Sequence, residues 1–134
     1  MAERPEAGVL DTCTYLDLTR LDPAVLPQVP EITAITLAEL HQGVAMARDA
    51  EVRAARTEQL GAALAEFEPL PFDGPAAARF GTLVSLTLAA GRRPKPRLLD
   101  LQIAAIASVH GLPLYTRNAG DFKGLEKMLK VVAL

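Results

Sequence analysis

Two kinds of apolar pattern alternate along this chain. Short apolar runs of strand length stand between longer stretches in which apolar residues return at helical spacing. Residues 7–10 form the first run and read as a central strand ending at Asp11. Asp11-Thr12-Cys13-Thr14 then opens a helix that continues through Leu18 and stops before Asp22-Pro23. A proline-rich loop covers residues 22–30, residues 31–35 are β-branched and strand-like, and a helix runs from Thr36 toward Met46. Residues 49–66 predict an amphipathic helix, and residues 67–72, with Pro69 and Pro71, predict an edge strand. Asp73 is the N-cap candidate of a helix reaching about residue 90, followed by a loop at 91–96. A helix over residues 97–109 ends at His110-Gly111, with Gly111 in the left-handed terminating position. Residues 112–115 and 128–133 supply the last strands, with a helical turn between them. This alternation predicts an α/β fold, a parallel doubly wound sheet with helices on both faces.

The 97–109 stretch is apolar on nearly every face, so most of it is expected to be buried. Asp100 lies one turn inside, above Ile103, Ala104 and Ala107. A lone buried carboxylate costs several kcal/mol unless it is protonated, paired or bound to a cation. The simpler alternative is an acid in the first turn, where the helix dipole favours it.

Composition narrows the field. At 134 residues, half of them hydrophobic, the chain is expected to be one domain with a sizeable core and no repeat. The single cysteine, Cys13, excludes an internal disulfide and is expected as a small core residue in a reducing compartment. The start lacks a basic segment followed by an apolar one, and the longest low-charge segment, residues 80–91, is too short to span a membrane. A cytoplasmic location is therefore expected.

The net charge of −2 conceals an uneven distribution. Residues 1–78 carry a net −8 and residues 79–134 a net +6. Arg92, Arg93, Lys95 and Arg97 crowd just before Asp100, and Arg117 follows the next strand. Such a half is a candidate phosphate-binding surface, a solvated face, or a patch that meets an acidic partner.

The expected topology sets the acids in relation to one another. Asp11 lies at the carboxyl end of the first strand, Glu39 in the first turn of the helix after the second strand, Asp100 in the first turn of its own helix, and Asn118 and Asp121 follow the strand at Tyr115. The carboxyl ends of strands in such a sheet line one crevice, where ligands bind. Each residue also has an ordinary explanation. Asp11 can cap a helix, Thr36-x-x-Glu39 has the form of a capping box, and Asn118 to Asp121 has turn composition. Those explanations leave unexplained why all four acids share one edge. Crowded carboxylates repel unless a cation is present, and an oxygen-only donor set suits Mg²⁺ or Mn²⁺. Competing signals are thin: no phosphate loop, no nucleophile elbow around Ser85 or Ser108, and no metal-ligand spacing for His41 or His110.

Four blocks occur in order: Val9-Leu10-Asp11-Thr12, Ile35-Thr36-Leu37-Ala38-Glu39-Leu40-His41-Gln42-Gly43, Leu99-Asp100-Leu101-Gln102-Ile103-Ala104-Ala105 and Tyr115-Thr116-Arg117-Asn118-Ala119-Gly120-Asp121-Phe122. With these blocks, covering essentially the whole chain, the sequence resembles PIN-domain proteins, specifically VapC-type toxins of bacterial toxin–antitoxin pairs. The resemblance implies a PIN-like α/β/α sandwich with a roughly five-stranded parallel sheet. It also implies a Mg²⁺- or Mn²⁺-dependent endoribonuclease that is homodimeric and neutralised by a VapB-type antitoxin. Asp11, Glu39 and Asp100 match the family's first three acidic positions. Asn118 stands where many relatives carry Asp, and Asp121 is the candidate to supply the missing charge. On this reading Asp11 and Asp100 are the main ion ligands, with Glu39, Asp121 and Asn118 completing the site. Arg92, Arg93, Lys95, Arg97, Arg117 and Thr12 are then the candidates for contact with RNA. The rival readings are another Mg²⁺-dependent phosphohydrolase of α/β fold, or a non-catalytic acid-lined module that binds RNA or a partner.

Overall fold

The computed structural model describes residues 6–134; residues 1–5, on which the expectation of no leader rests in part, lie outside them. Among the described residues, four strands form one parallel sheet: β1 (Ala7–Leu10), β2 (Val29–Glu31), β3 (Leu114–Thr116) and β4 (Val131–Ala133). Their order is β2-β1-β3-β4, which puts β1 in the interior as its apolar run predicts. Val9 is in register with Glu31 on one side and Leu114 on the other, and Tyr115 with Val132. The helices are α1 (Thr12–Leu16), α2 (Ala34–Ala45), α3 (Ala50–Glu66), α4 (Gly74–Ala89) and α5 (Leu98–Val109).

Neighbouring residues on a strand point to opposite faces, and here that rule divides the core in two. Val9 and Leu114 pack with Leu83 of α4 and with Leu101, Ile103 and Ala104 of α5. Leu10 and Tyr115 pack on the other face with Tyr15 of α1, Leu40 of α2, and Leu60 and Ala63 of α3. The expected α/β/α sandwich results. Gly8 is part of the same packing: a Cβ there would collide with the ring of Tyr115 at Cε1, so only glycine lets the tyrosine ring lie across β1. Gly111 has φ +66°, the left-handed value expected just beyond α5.

The departures from expectation have local causes. The strand expected at 67–72 is reduced to one parallel bridge, Thr33 with Leu70, so the sheet has four strands rather than five. Leu70 N donates to Ile32 O and Leu70 O accepts from Ala34 N, at 2.9 and 2.8 Å. The ladder stops because its partner enters α2 at Ala34, and the N–H groups that Pro69 and Pro71 lack belong to the other, unpaired side, as suits an edge. The second strand covers 29–31 rather than 31–35, because Thr33 caps α2: its Oγ1 accepts from Thr36 N at 3.3 Å. The last strand begins at Val131 rather than 128, since Met128 N and Leu129 N bond back to Leu125 O in a turn. Cys13 is exposed and free, not a core residue, because it lies on the outward side of α1. Only the middle of α5, residues 103–107, meets the expectation of burial on every side; Leu98 and Leu99 are 40% and 46% exposed.

Candidate active site

The carboxyl ends of β1 and β3 bring the acidic side chains to one edge. Asp11 is buried there and caps α1, its Oδ1 accepting from Thr14 N at 2.9 Å. Its Oδ2 accepts from the buried Thr116 Oγ1 at 2.5 Å. The Thr116 hydroxyl in turn accepts from Asn118 N at 2.9 Å, so one side chain ties the loop after β3 to Asp11. Capping and membership of the acidic edge are therefore not alternatives for Asp11. It does both.

Glu39 has no capping role. The N-cap of α2 is Thr33, which places Thr36 inside the first turn and Glu39 in the second, so the Thr36-x-x-Glu39 box does not form. Glu39 Oε1 instead accepts from Thr12 Oγ1 at 2.8 Å, and Thr12 Oγ1 lies 2.9 Å from Thr36 Oγ1. Glu39 is thereby drawn toward the start of α1, beside Asp11.

Asp100, in the first turn of α5, is partly rather than fully buried. Its carboxyl is pushed up to about 6, first by burial and then by the negative charges of Asp11, Glu39 and Asp121, with Arg97 acting in the opposite direction. The thiol of Cys13, exposed as the residue is, is also pushed up, by partial desolvation first and then by Asp11, Asp100, Glu39 and Asp17. Repulsion of this kind is felt at short range, so the four acids share one field. Asp121 lies in a single 3-10 turn, Ala119–Phe122, with Oδ1 3.9 Å from Arg97 Nε. Asn118 precedes that turn, exposed, and its side chain caps nothing.

Among the described residues, no three His, Cys, Asp or Glu side chains close into a ready-made metal cage. The donor set still fits a hard ion that keeps several waters and takes only one or two carboxylates directly, as Mg²⁺ does. Burial is the first cause of the upward push on Asp100, and the charges of Asp11, Glu39 and Asp121 add to it, so a cation there would offset that added negative charge.

The basic candidates divide. Arg92 Nη1 donates to Gly120 O at 2.6 Å, and Arg97 Nη1 to Arg93 O at 2.7 Å. These bonds clamp the loop before α5 onto itself and onto the turn that carries Asp121. Arg117 is ion-paired with Asp17 at 2.5 Å, and the Thr12 hydroxyl is turned to Glu39. Arg93 and Lys95 are exposed. A groove of about 740 Å³ leaves Thr12 and Glu39 and runs between α1, α2 and α3 past Leu16, Gly43, Met46 and Arg56. Sequence reasoning did not single out Thr116. Its only signal is its place, at the end of a strand and two residues before Asn118.

No family model matches the sequence. Ribonuclease VapC5 of Mycobacterium tuberculosis is 38% identical over 129 residues, covering 94% of this chain and 93% of the relative. Toxin FitB of Neisseria gonorrhoeae is 36% identical over 105 residues, 76% of this chain and 73% of that protein. Among solved structures, a chain in the VapBC-5 toxin–antitoxin crystal structure from M. tuberculosis superposes with a TM-score of 0.81 at 33% identity, over 97% of this chain and 100% of that one. A chain in the FitAcB crystal structure from N. gonorrhoeae gives 0.75 at 30% identity, over 92% and 94%.

Proposed function

The chain belongs to the VapC family of ribonuclease toxins, and from that premise we propose that it is a Mg²⁺- or Mn²⁺-dependent endoribonuclease restrained by a VapB-type antitoxin. The observation that carries the metal dependence is the placement of Asp11, Glu39, Asp100 and Asp121 at one edge, where the other three acids add to the effect of burial on Asp100. Arg97 offsets only part of the charge of four acids, and the remainder repels an RNA phosphate, so cleavage there needs a cation.

Asp11 and Asp100 are the residues proposed to hold the ion, with Glu39, Asp121 and Asn118 around them. When bound, such an ion neutralises charge on the phosphodiester and acidifies a neighbouring water. The chain's own groups do the rest. Glu39, held by Thr12, orients the attacking water. Thr116 keeps the Asp11 carboxylate in one orientation. Arg93 and Lys95, exposed beside the acidic edge, hold flanking phosphates, which contributes affinity rather than sequence choice. We read the protein as a homodimer in the cytoplasm; no helix among the described residues is long and apolar enough to cross a membrane.

The test is incubation of the purified protein with single-stranded RNA and Mg²⁺, with and without EDTA, beside Asp11→Asn. Cleavage that EDTA stops, that excess Mg²⁺ restores, and that folded Asp11→Asn lacks supports the reading. Cleavage that survives both EDTA and the substitution overturns it. Addition of the cognate antitoxin tests restraint in the same assay.

A further inference from the structure

Glu39 is held by a chain of hydroxyl groups whose direction can be read from valence alone. A Thr hydroxyl carries one hydrogen, and an ionised carboxylate only accepts. Thr12 Oγ1 spends its hydrogen on Glu39 Oε1 at 2.8 Å, so it must accept at its 2.9 Å contact with Thr36 Oγ1. Thr36 therefore donates to Thr12, and Thr12 donates to Glu39. Thr36 is fully buried one turn before Glu39 on α2, and its backbone N–H is committed to the Thr33 cap. Being fully buried, its side chain is closed to direct contact with a substrate. Thr12 belongs to α1, so the chain also joins two helices through a side chain that neither helix needs for its own hydrogen bonding.

We propose that Thr36 and Thr12 are positioning residues that fix the Glu39 carboxylate at the acidic edge through a one-way chain of hydrogen bonds. The proposal deepens the nuclease reading and rests on it for the consequence on turnover, but not for the ordering of Glu39. Hydrogen bonds in series polarise one another, so losing the buried first donor weakens the contact to the carboxylate as well. The Thr36→Val change keeps volume and branching while deleting only that donor.

The experiment uses the full chain and the variants Thr36→Val, Thr36→Ser and Glu39→Gln, with the double variant Thr36→Val/Glu39→Gln. The first readout needs neither RNA nor metal: side-chain ¹³C relaxation at Glu39 by NMR. The Glu39 side chain is expected to become measurably more mobile in Thr36→Val and to return to the parent value in Thr36→Ser. The second readout is RNA cleavage with Mg²⁺. Thr36→Val is expected to lower kcat about tenfold with KM within twofold, Ser to restore it, and the valine to have no further effect once Glu39 is Gln. Unchanged Glu39 mobility in a folded Thr36→Val protein overturns the proposal, as does an equal loss of kcat in the Glu39→Gln background. A parent that orders Glu39 through Thr36 yet cleaves no RNA overturns the nuclease reading and leaves the positioning role standing.

Discussion

The two ends of α5 are built on opposite principles. From Ile103 to Ala107 every residue is fully buried, against Val9 and Leu114 of the sheet and Leu83 of α4. In the first turn Leu98 and Leu99 are exposed, and Asp100 is held among three other acids. The carboxyl half contributes stability through burial, at about 1.5–3 kcal/mol for each large apolar side chain. The amino half gives some of it back, since a carboxyl pushed upward is a charge the fold disfavours. An arrangement that costs stability and recruits four acids from distant parts of the chain is what the proposed cation would offset.

The largest effect expected from breaking this contrast is at Asp100. Asp100→Asn removes the charge and keeps the shape. RNA cleavage is expected to fall by about a thousandfold or more while the melting temperature at pH 7 rises by a few degrees. Activity assays beside thermal melts check both parts. A variant that melts lower and still cleaves would make Asp100 a structural residue.

The mirror-image experiment removes part of the other end. Ile103→Ala leaves a cavity in a fully buried site and is expected to cost about 3 kcal/mol, lowering the melting temperature by about 10 °C. Cleavage per folded molecule should stay at the parental level below the transition. Denaturant titration gives the first number and active-site-normalised kinetics the second.

A smaller effect follows from the direction of the Asp100 shift. Its carboxyl stands at about 6 in the fold against an ordinary value of 3.8, so across that window the folded state holds more proton than the unfolded one. Stability from this group is therefore fully present below about pH 4, falls as pH rises, and is lost above about pH 6. Asp100→Asn should flatten that part of the melting-temperature profile. Mg²⁺ should raise the parent's melting temperature more at pH 7 than at pH 5, because protonated Asp100 has no charge to offer an ion. Equal Mg²⁺ effects at the two pH values would remove Asp100 from the ion's surroundings.

The same division shows what the amino-acid pattern could and could not reveal. Burial follows periodicity, so the central strand, the sandwich and the extent of α3 were legible, with Asp49 capping α3 through Val52 N at 2.8 Å. The acids were legible as a set because topology alone sends the ends of β1, β3 and the helix starts to one edge. Boundaries set by a single hydroxyl were not. Thr33 and Thr36 both fit a cap, and only the chain's path decides that Thr33 takes it, which moves Glu39 a turn deeper and frees it for Thr12. The strand at 67–72 is shorter than its apolar pattern suggests for a similar reason: apolar character at Phe67, Leu70 and Phe72 reports partial burial, but the ladder ends where its partner turns into α2 after the Thr33 cap. Nor can a count of positive charges tell a clamp from a contact. Arg92, Arg97 and Arg117 are each engaged within the protein.

That last distinction gives the smallest and most selective prediction. Of the basic residues around Asp100, Arg93 and Lys95 are exposed, whereas Arg92 holds Gly120 and Arg117 holds Asp17. Replacing Arg93 and Lys95 together with Gln should therefore leave the fold and kcat intact and act on RNA affinity alone. Each phosphate contact to a single strand contributes about 0.7 to the slope of log affinity against log salt, so losing two should flatten it by about 1.4. Binding is best measured in an Asp11→Asn background, where the RNA survives the titration. Arg92→Gln provides the contrast: it loosens the turn that carries Asp121, so it should reduce kcat while the salt slope stays close to the parent's. If the Arg93/Lys95 pair leaves the slope unchanged, the loop lies off the RNA path, and its exposed charges are left to meet an acidic protein partner instead.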